Sequence, residues 1–309
     1  MNDLHMSLRV QGADFSLIIP PDSPNAVHFR RVYERNGQYE AVMSAVLARL
    51  LAAMDRPVFA DLGAFLGYYT VYATRLLAGR GQVFAVESNP RYAEIVRAAL
   101  ALNDIEGVSV LQAALSDRDE TLWSQGTTLH DGSTREDAIF LATPEHAIIE
   151  TKTIPGCEGE AVAVQATTLD SLCKAHGLAP TIAKMDVHGT EGKIIRGMRQ
   201  VLRGPLQCLL LELHQNVHLR KYAPDITRMA ILDELEDAGF RNYYVAGHRY
   251  TYSDGLKLFL ESDRFSYQPL TRETREMLLF DRSTQVFVLS VKFPLESVLG
   301  PSAFDPGLE

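Results

Sequence analysis

Apolar positions along this chain fall into two rhythms. Short apolar runs at Val58–Leu62, Gln82–Val86, Val108–Ala113, Thr181–Val187, Leu206–Leu213, Arg241–Val245 and Thr284–Val291 predict strands. Between them, helical spacing predicts helices over Tyr68–Leu77, Pro90–Leu102, Glu191–Leu202 and Ile226–Ala238. Asn89 and Pro90 suit the cap and first turn of the second of these, and Gly239 ends the last. Thr167 and Asp170 stand in capping-box spacing before a helix running to about Ala175. Strands alternating with helices in this way predict crossover units and a mainly parallel sheet. Upstream, a strand pair (Ser7–Val10, Phe15–Ile19) leads through the turn Pro20-Pro21-Asp22-Ser23-Pro24 to a helix over Tyr39–Met54, closed by Pro57.

That pattern divides the chain into an N-terminal extension, 1–55, and one large domain, 56–309. The extension is expected to cap the substrate side or to form a contact in a possible homodimer. Two stretches interrupt the alternation, at about 116–165 and 253–282. The first carries turn signals, with hairpins expected around Ala138–Leu141 and Ala161–Gln165. Excursions of this kind are commonly lids or substrate walls.

Composition narrows the partners. The net charge of −9 argues against nucleic acid, which needs clustered Lys and Arg. No apolar run is long enough for a bilayer, so a membrane partner is not expected. Met1–Val10 lacks the basic-then-apolar order of a secretory leader, and a soluble, cytoplasmic protein is expected. The cysteines Cys157, Cys173 and Cys208 have neither zinc nor disulfide-framework spacing.

Chemistry concentrates at the strand ends. Val58–Leu62 runs into Gly63, Ala64 and Gly67 and then a helix. Gly63 permits a sharp turn, and Gly67 lets the helix begin close to a ligand. The spacing is G-x-x-x-G, not the dinucleotide fingerprint G-x-G-x-x-G. Asp61 at the strand tip would repel a pyrophosphate but suits a ligand carrying an ammonium and a sulfonium. Glu87 ends the second strand, 20 residues after Gly67, where a carboxylate accepts from a ribose diol.

These segments resemble the FkbM-type methyltransferases. Asp61-Leu62-Gly63-Ala64-Phe65-Leu66-Gly67-Tyr68-Tyr69-Thr70 matches the family's opening motif, and Glu87-Ser88-Asn89-Pro90 its second. Leu102-Asn103, Ala114-Leu115-Ser116-Asp117, Thr168-Leu169-Asp170, Lys184-Met185-Asp186-Val187-His188-Gly189-Thr190-Glu191 and Glu212-Leu213-His214 follow in family order. Ser88 stands where Pro is usual, and His188 where Glu is usual. The resemblance implies a class I, Rossmann-like α/β fold: a mainly parallel seven-stranded sheet, order 3-2-1-4-5-7-6, with the last strand antiparallel and helices on both faces. It implies S-adenosyl-L-methionine (SAM) as cofactor, contacted by Asp61, Gly63, Ala64, Gly67, Tyr69, Thr70, Glu87, Ser88, Asn89, Ser116 and Asp186. It also implies O-methylation of a small hydroxylated acceptor such as a sugar or natural product.

For proton removal from the acceptor, Asp186 and His214 are the expected acid/base centre, with His188 second. Glu212 and His214, two apart on a strand, point to one side, and an imidazole titrates near neutrality. Two other readings stay open: Asp186 orients the cofactor while Glu212 and His214 brace loops, or Asp186, Glu212 and His214 ligate a hard divalent ion. Glu191, at a helix start, is expected to be structural. Two further functions compete: an NAD-dependent oxidoreductase on a similar sheet, and a non-catalytic, methyltransferase-like binding protein.

Overall fold

The computed structural model describes residues 4–124, 127–128, 134–135, 162–247, 254–279 and 285–304. Its centre is an eight-stranded sheet built on β3 (Val58–Leu62), β4 (Gln82–Glu87), β5 (Ser109–Gln112), β11 (Ile182–Met185), β12 (Cys208–His214), β13 (Arg241–Val245), β14 (Tyr267–Pro269) and β15 (Gln285–Val291). The spatial order is β14-β13-β15-β12-β11-β3-β4-β5. Strands β5, β4, β3, β11 and β12 are parallel, whereas β15 runs antiparallel between β12 and β13. Numbering the strands from β3, this is the expected 3-2-1-4-5-7-6 order. The short β14 adds one strand at the edge, paired antiparallel to β13.

Both sheet faces are covered, which explains the continuous apolar runs of the central strands. Phe59 and Leu210 face one core; Ala60, Leu209 and Leu211 face the other. On the first side lie α3 (Tyr68–Leu77) and α4 (Pro90–Leu102), covered in turn by the β1–β2 hairpin (Leu4–Val10, Ala13–Ile19), α1 (Pro24–Asn36) and α2 (Ala41–Ala53). On the second side lie α5 (Leu169–His176), α6 (Glu191–Arg196), α7 (Arg199–Arg203), α8 (Asn216–Tyr222) and α9 (Arg228–Asp237). The extension therefore shares a core with the sheet domain. No described helix is long and apolar enough to cross a membrane.

Several elements differ from expectation. Helix α1 was not predicted, although Ser23 accepts from the Ala26 N–H and Pro24 occupies the first turn. The expected helix 191–202 breaks at Gly197, where a Cβ would overlap the Ser116 carbonyl oxygen. The cap of α5 is Thr168, not Thr167. Asp170 instead accepts from the Gln200 and Val201 N–H groups at the start of α7. In the first insertion, β10 (Val162–Thr167) lies between β6 (Ala114–Leu115) and β7 (Glu120–Ser124), and β8 (Thr127–Thr128) pairs with β9 (Thr134–Arg135). The hairpin expected around Ala138–Leu141 lies outside the described residues. The second insertion contains α10 (Asp254–Ser262), β14 and α11 (Arg272–Leu279).

Candidate active site

The carboxyl ends of β3, β4, β11 and β12 gather nearly all the polar residues singled out above. After β3 the chain turns through Gly63 (φ 83°) and Phe65 (φ 50°) to Gly67 (φ 79°). A Cβ on Gly63 would overlap the Asp186 carbonyl oxygen, so this glycine lets the loop close against β11. Glu87 holds the loop from the other side. Its carboxylate accepts from the Phe65 N–H and the Asn89 N–H, both at 2.8 Å. Burial pushes the Glu87 carboxyl up, against the pull of these amides. Each carboxylate oxygen retains an acceptor position for a ribose hydroxyl.

Asp61 is buried at 1% exposure. The Thr70 hydroxyl donates to its Oδ2 at 2.6 Å, while Oδ1 has no hydrogen-bond partner. An orphaned buried carboxylate oxygen is costly unless a ligand donor completes it, and the ammonium of SAM is such a donor. The residues present therefore fit SAM at both its ribose and its amino-acid ends.

Between β3 and β12 stands Lys184, a buried ammonium 3.6 Å from Asp186 and 5.1 Å from the Tyr69 ring centroid. Burial pushes this group down, but Asp186, Asp61, Glu40 and Glu212 together hold it above its ordinary value. The Tyr69 hydroxyl donates to Glu40 Oε2 at 2.7 Å. Tyr69 thus supports the site from beneath. Ligand atoms of Glu40, Asp186 and Glu212 lie within 4.8 Å of one another, as do those of Asp186, His188 and His214. The expected metal-binding residues Asp186, Glu212 and His214 are thereby divided between two groups that share Asp186.

The imidazoles form a chain. His214 is 4% exposed, and its Nδ1 lies 2.6 Å from Glu191 Oε1. Its Nε2 lies 3.3 Å from His188 Nδ1. Burial alone would push His214 down, but the Glu191 carboxylate, with Asp186 and Glu212, raises it to about 9. The near-neutral titration expected of His214 is corrected accordingly: below about 9 it carries a proton, donated to Glu191. His188 sits in the left-handed region (φ 52°), its side chain 62% exposed. On α8, four residues after His214, the His218 ring centroid lies 6.1 Å away.

Glu191 is more than the helix-start charge expected from the sequence. It is fully buried and accepts from the Gly189 N–H as well as facing His214. Arg228 fixes the end of β12 by donating to the His214 and Leu213 carbonyls. Ser116 donates to Glu120 at 2.6 Å, in a group completed by Lys193. Ser88 and Asn89 lie beside Glu87, Asn89 also capping α4. Ala64 is buried, its N–H donating to the Val86 carbonyl. Sequence reasoning missed Glu40, Phe65, Lys184 and His218. Phe65 and Lys184 stand in the family motifs quoted above, but no role was assigned to either.

A model of the methyltransferase FkbM domain matches residues 61–241. Catechol O-methyltransferase B of Danio rerio is 30% identical over 114 residues, which cover 36% of this chain and 41% of that protein. Among solved structures, a putative O-methyltransferase from Klebsiella pneumoniae is 11% identical, covering 88% of this chain and 90% of its own, with a TM-score of 0.41. Precorrin-6y C5,15-methyltransferase from Geobacter metallireducens GS-15 is 15% identical, covering 81% and 86%, with a TM-score of 0.39. The fold rests on the strand order, not on these distant likenesses. With the domain match spanning more than half of its length, the chain belongs to the FkbM-domain methyltransferases.

Proposed function

We propose that the protein transfers the methyl group of SAM to a hydroxyl oxygen of a small acceptor, such as a sugar or a hydroxylated natural product. The observation that carries this reading is the chain Glu191–His214–His188, which runs from a fully buried carboxylate to an exposed imidazole. A hydroxyl oxygen must lose its proton as it is alkylated, so a positioned base has a task here that a thioether or tertiary amine acceptor would not give it.

SAM supplies an already activated methyl group on a sulfonium. Glu87 receives the ribose hydroxyls. Asp61 receives the ammonium through its free Oδ1. Neutral His214 accepts the acceptor's proton at Nε2, and Glu191 stabilises the resulting imidazolium through Nδ1, as a carboxylate does in a nucleophile–His–carboxylate triad. His188 passes the proton to solvent at the rim. The catechol O-methyltransferase likeness supports a hydroxyl acceptor, and the net charge of −9 supports a small molecule over nucleic acid.

The test is methyl transfer from isotope-labelled SAM to a panel of hydroxylated sugars, phenols and amines, with the product bond identified by NMR. An O–CH3 product lost in His214→Ala is expected. A methyl placed on nitrogen or carbon, or equal rates in His214→Ala, would refute the reading.

A further inference from the structure

The family match begins at Asp61, so everything ahead of β3 lies outside it. One residue of that segment nevertheless reaches the cofactor end. Glu40 precedes α2 in the left-handed region (φ 45°, ψ 51°), a conformation that is strained for a non-glycine residue. It is 6% exposed. Tyr69 donates to its Oε2, and the Ser44 N–H donates to the Glu40 carbonyl. The flanking chain is tied down as well, because the Tyr68 hydroxyl donates to the Tyr39 carbonyl and bonds Ser44. This tightly built loop aims a carboxylate to within 4.8 Å of ligand atoms of Asp186 and Glu212.

Four carboxylates, of Glu40, Asp61, Asp186 and Glu212, bear on the ammonium of Lys184, and Asp186 and Glu212 bear on the His214 imidazole as well. Asp61, at 1% exposure, keeps Oδ1 without a partner. A buried surplus of negative charge calls for a cationic occupant. A divalent ion is the poorer fit. It needs a shell of oxygens, while Lys184 already stands 3.6 Å from Asp186 and would repel it. Directional N–H donors suit the arrangement better.

We infer that Glu40 is a cofactor-binding residue whose carboxylate accepts hydrogen bonds from the α-ammonium of SAM, so that the segment leading into α2 forms a wall of the cofactor pocket. The inference rests on SAM dependence and is independent of which atom of which acceptor is methylated.

Calorimetry on the full chain in EDTA tests it with two ligands. SAM carries the ammonium; 5′-methylthioadenosine keeps the adenosine and sulfur but lacks the amino-acid end. Glu40→Gln is expected to bind SAM about 10- to 100-fold more weakly, the usual loss for a charged hydrogen-bond partner, and methylthioadenosine as wild type does. SAM affinity within twofold of wild type overturns the inference. So does an equal loss for both ligands, which marks a packing role. So does wild-type SAM affinity that collapses in EDTA and returns with Mg²⁺, which marks a metal site. If Glu40→Gln does not fold, Tyr69→Phe decides, since it keeps the ring and removes the bond that aims Glu40. A several-fold loss confined to SAM supports the role, and no selective loss overturns it.

Discussion

Replacing Glu191 by Gln keeps the shape of the side chain and an acceptor for the Gly189 N–H but removes the charge facing His214. The rise of His214 from 6.5 to about 9 corresponds to about 3 kcal/mol of preference for the imidazolium. Glu191 supplies the largest favourable part, with Asp186 and Glu212 behind it. Without Glu191, burial dominates again and His214 falls back toward its ordinary 6.5. The sign follows from linkage. A group raised on folding stabilises the native state fully below its unfolded pKa and loses that contribution as pH rises through the folded one. Wild type should therefore lose the ion pair's stabilisation between about pH 6.5 and 9, whereas Glu191→Gln should be flat across that window. The rate carries the complementary signature. Neutral His214 accumulates in wild type only toward pH 9, so kcat/KM should climb to an alkaline limb there. In Glu191→Gln the limb should move toward 6.5, with a plateau lowered about 10²-fold or more because the imidazolium formed during transfer is no longer stabilised. The assays are a pH–rate profile at saturating SAM and a titration of ¹⁵N-labelled histidines by NMR. A wild-type His214 titrating near 6.5, or a limb that stays put in folded Glu191→Gln, would refute the argument.

Three further outcomes are expected. Glu87→Ala should weaken SAM binding by about 1.5–3 kcal/mol in calorimetry, the loss expected for a charged acceptor; unchanged affinity would take Glu87 out of the site. Gly63→Ala should cost about 2 kcal/mol or more, since its φ of 83° and the Asp186 carbonyl both oppose a Cβ. For a chain of this size that lowers the melting temperature by about 3 °C or more, and a variant melting with wild type would show that β3 and β11 close less tightly. Activity should survive chelation and dialysis, because Lys184 already neutralises part of the Asp186 cluster; loss restored by Mg²⁺ or Mn²⁺ would place an ion on Asp186.

The sheet was legible because its physics is local. Unbroken apolar runs mark strands buried on both faces, and Asn89-Pro90 marks a helix start whichever way the rest of the chain folds. Gly63, Glu87, Asp186 and His214 were legible too, since each sits at the end of such a run. Glu40 left no trace of this kind. Its importance comes from a left-handed turn that aims it at residues far along the chain, and neither periodicity nor spacing records that. Lys184 hid inside an apolar strand, where its charge made sense only beside four carboxylates from separate elements. His214 was found, but its titration was not. An isolated imidazole reads as near-neutral, and only the 2.6 Å approach of Glu191 shows it held well above that. The break at Gly197 depends on Ser116 arriving from another strand.

The position of β15 has a consequence for how the molecule assembles. Residues 285–291 insert between β12 and β13, pairing along all seven of their positions with β12 and along Arg241–Tyr244 with β13. Until that strand arrives, β13 has no place in the sheet, and β12 presents an open edge of unpaired N–H and C=O groups on a run that is apolar from Cys208 to Leu211. During synthesis the cofactor half, β3 through β12, can form while this slot stays open. Closure then waits for a long-range antiparallel match, the slow kind of contact. The interval in which β12 is bare is when the chain is most open to pairing with another copy of itself. Substitutions that weaken β15, well outside the family-matched segment, should therefore show first as aggregation on folding and only afterwards as lost methyl transfer.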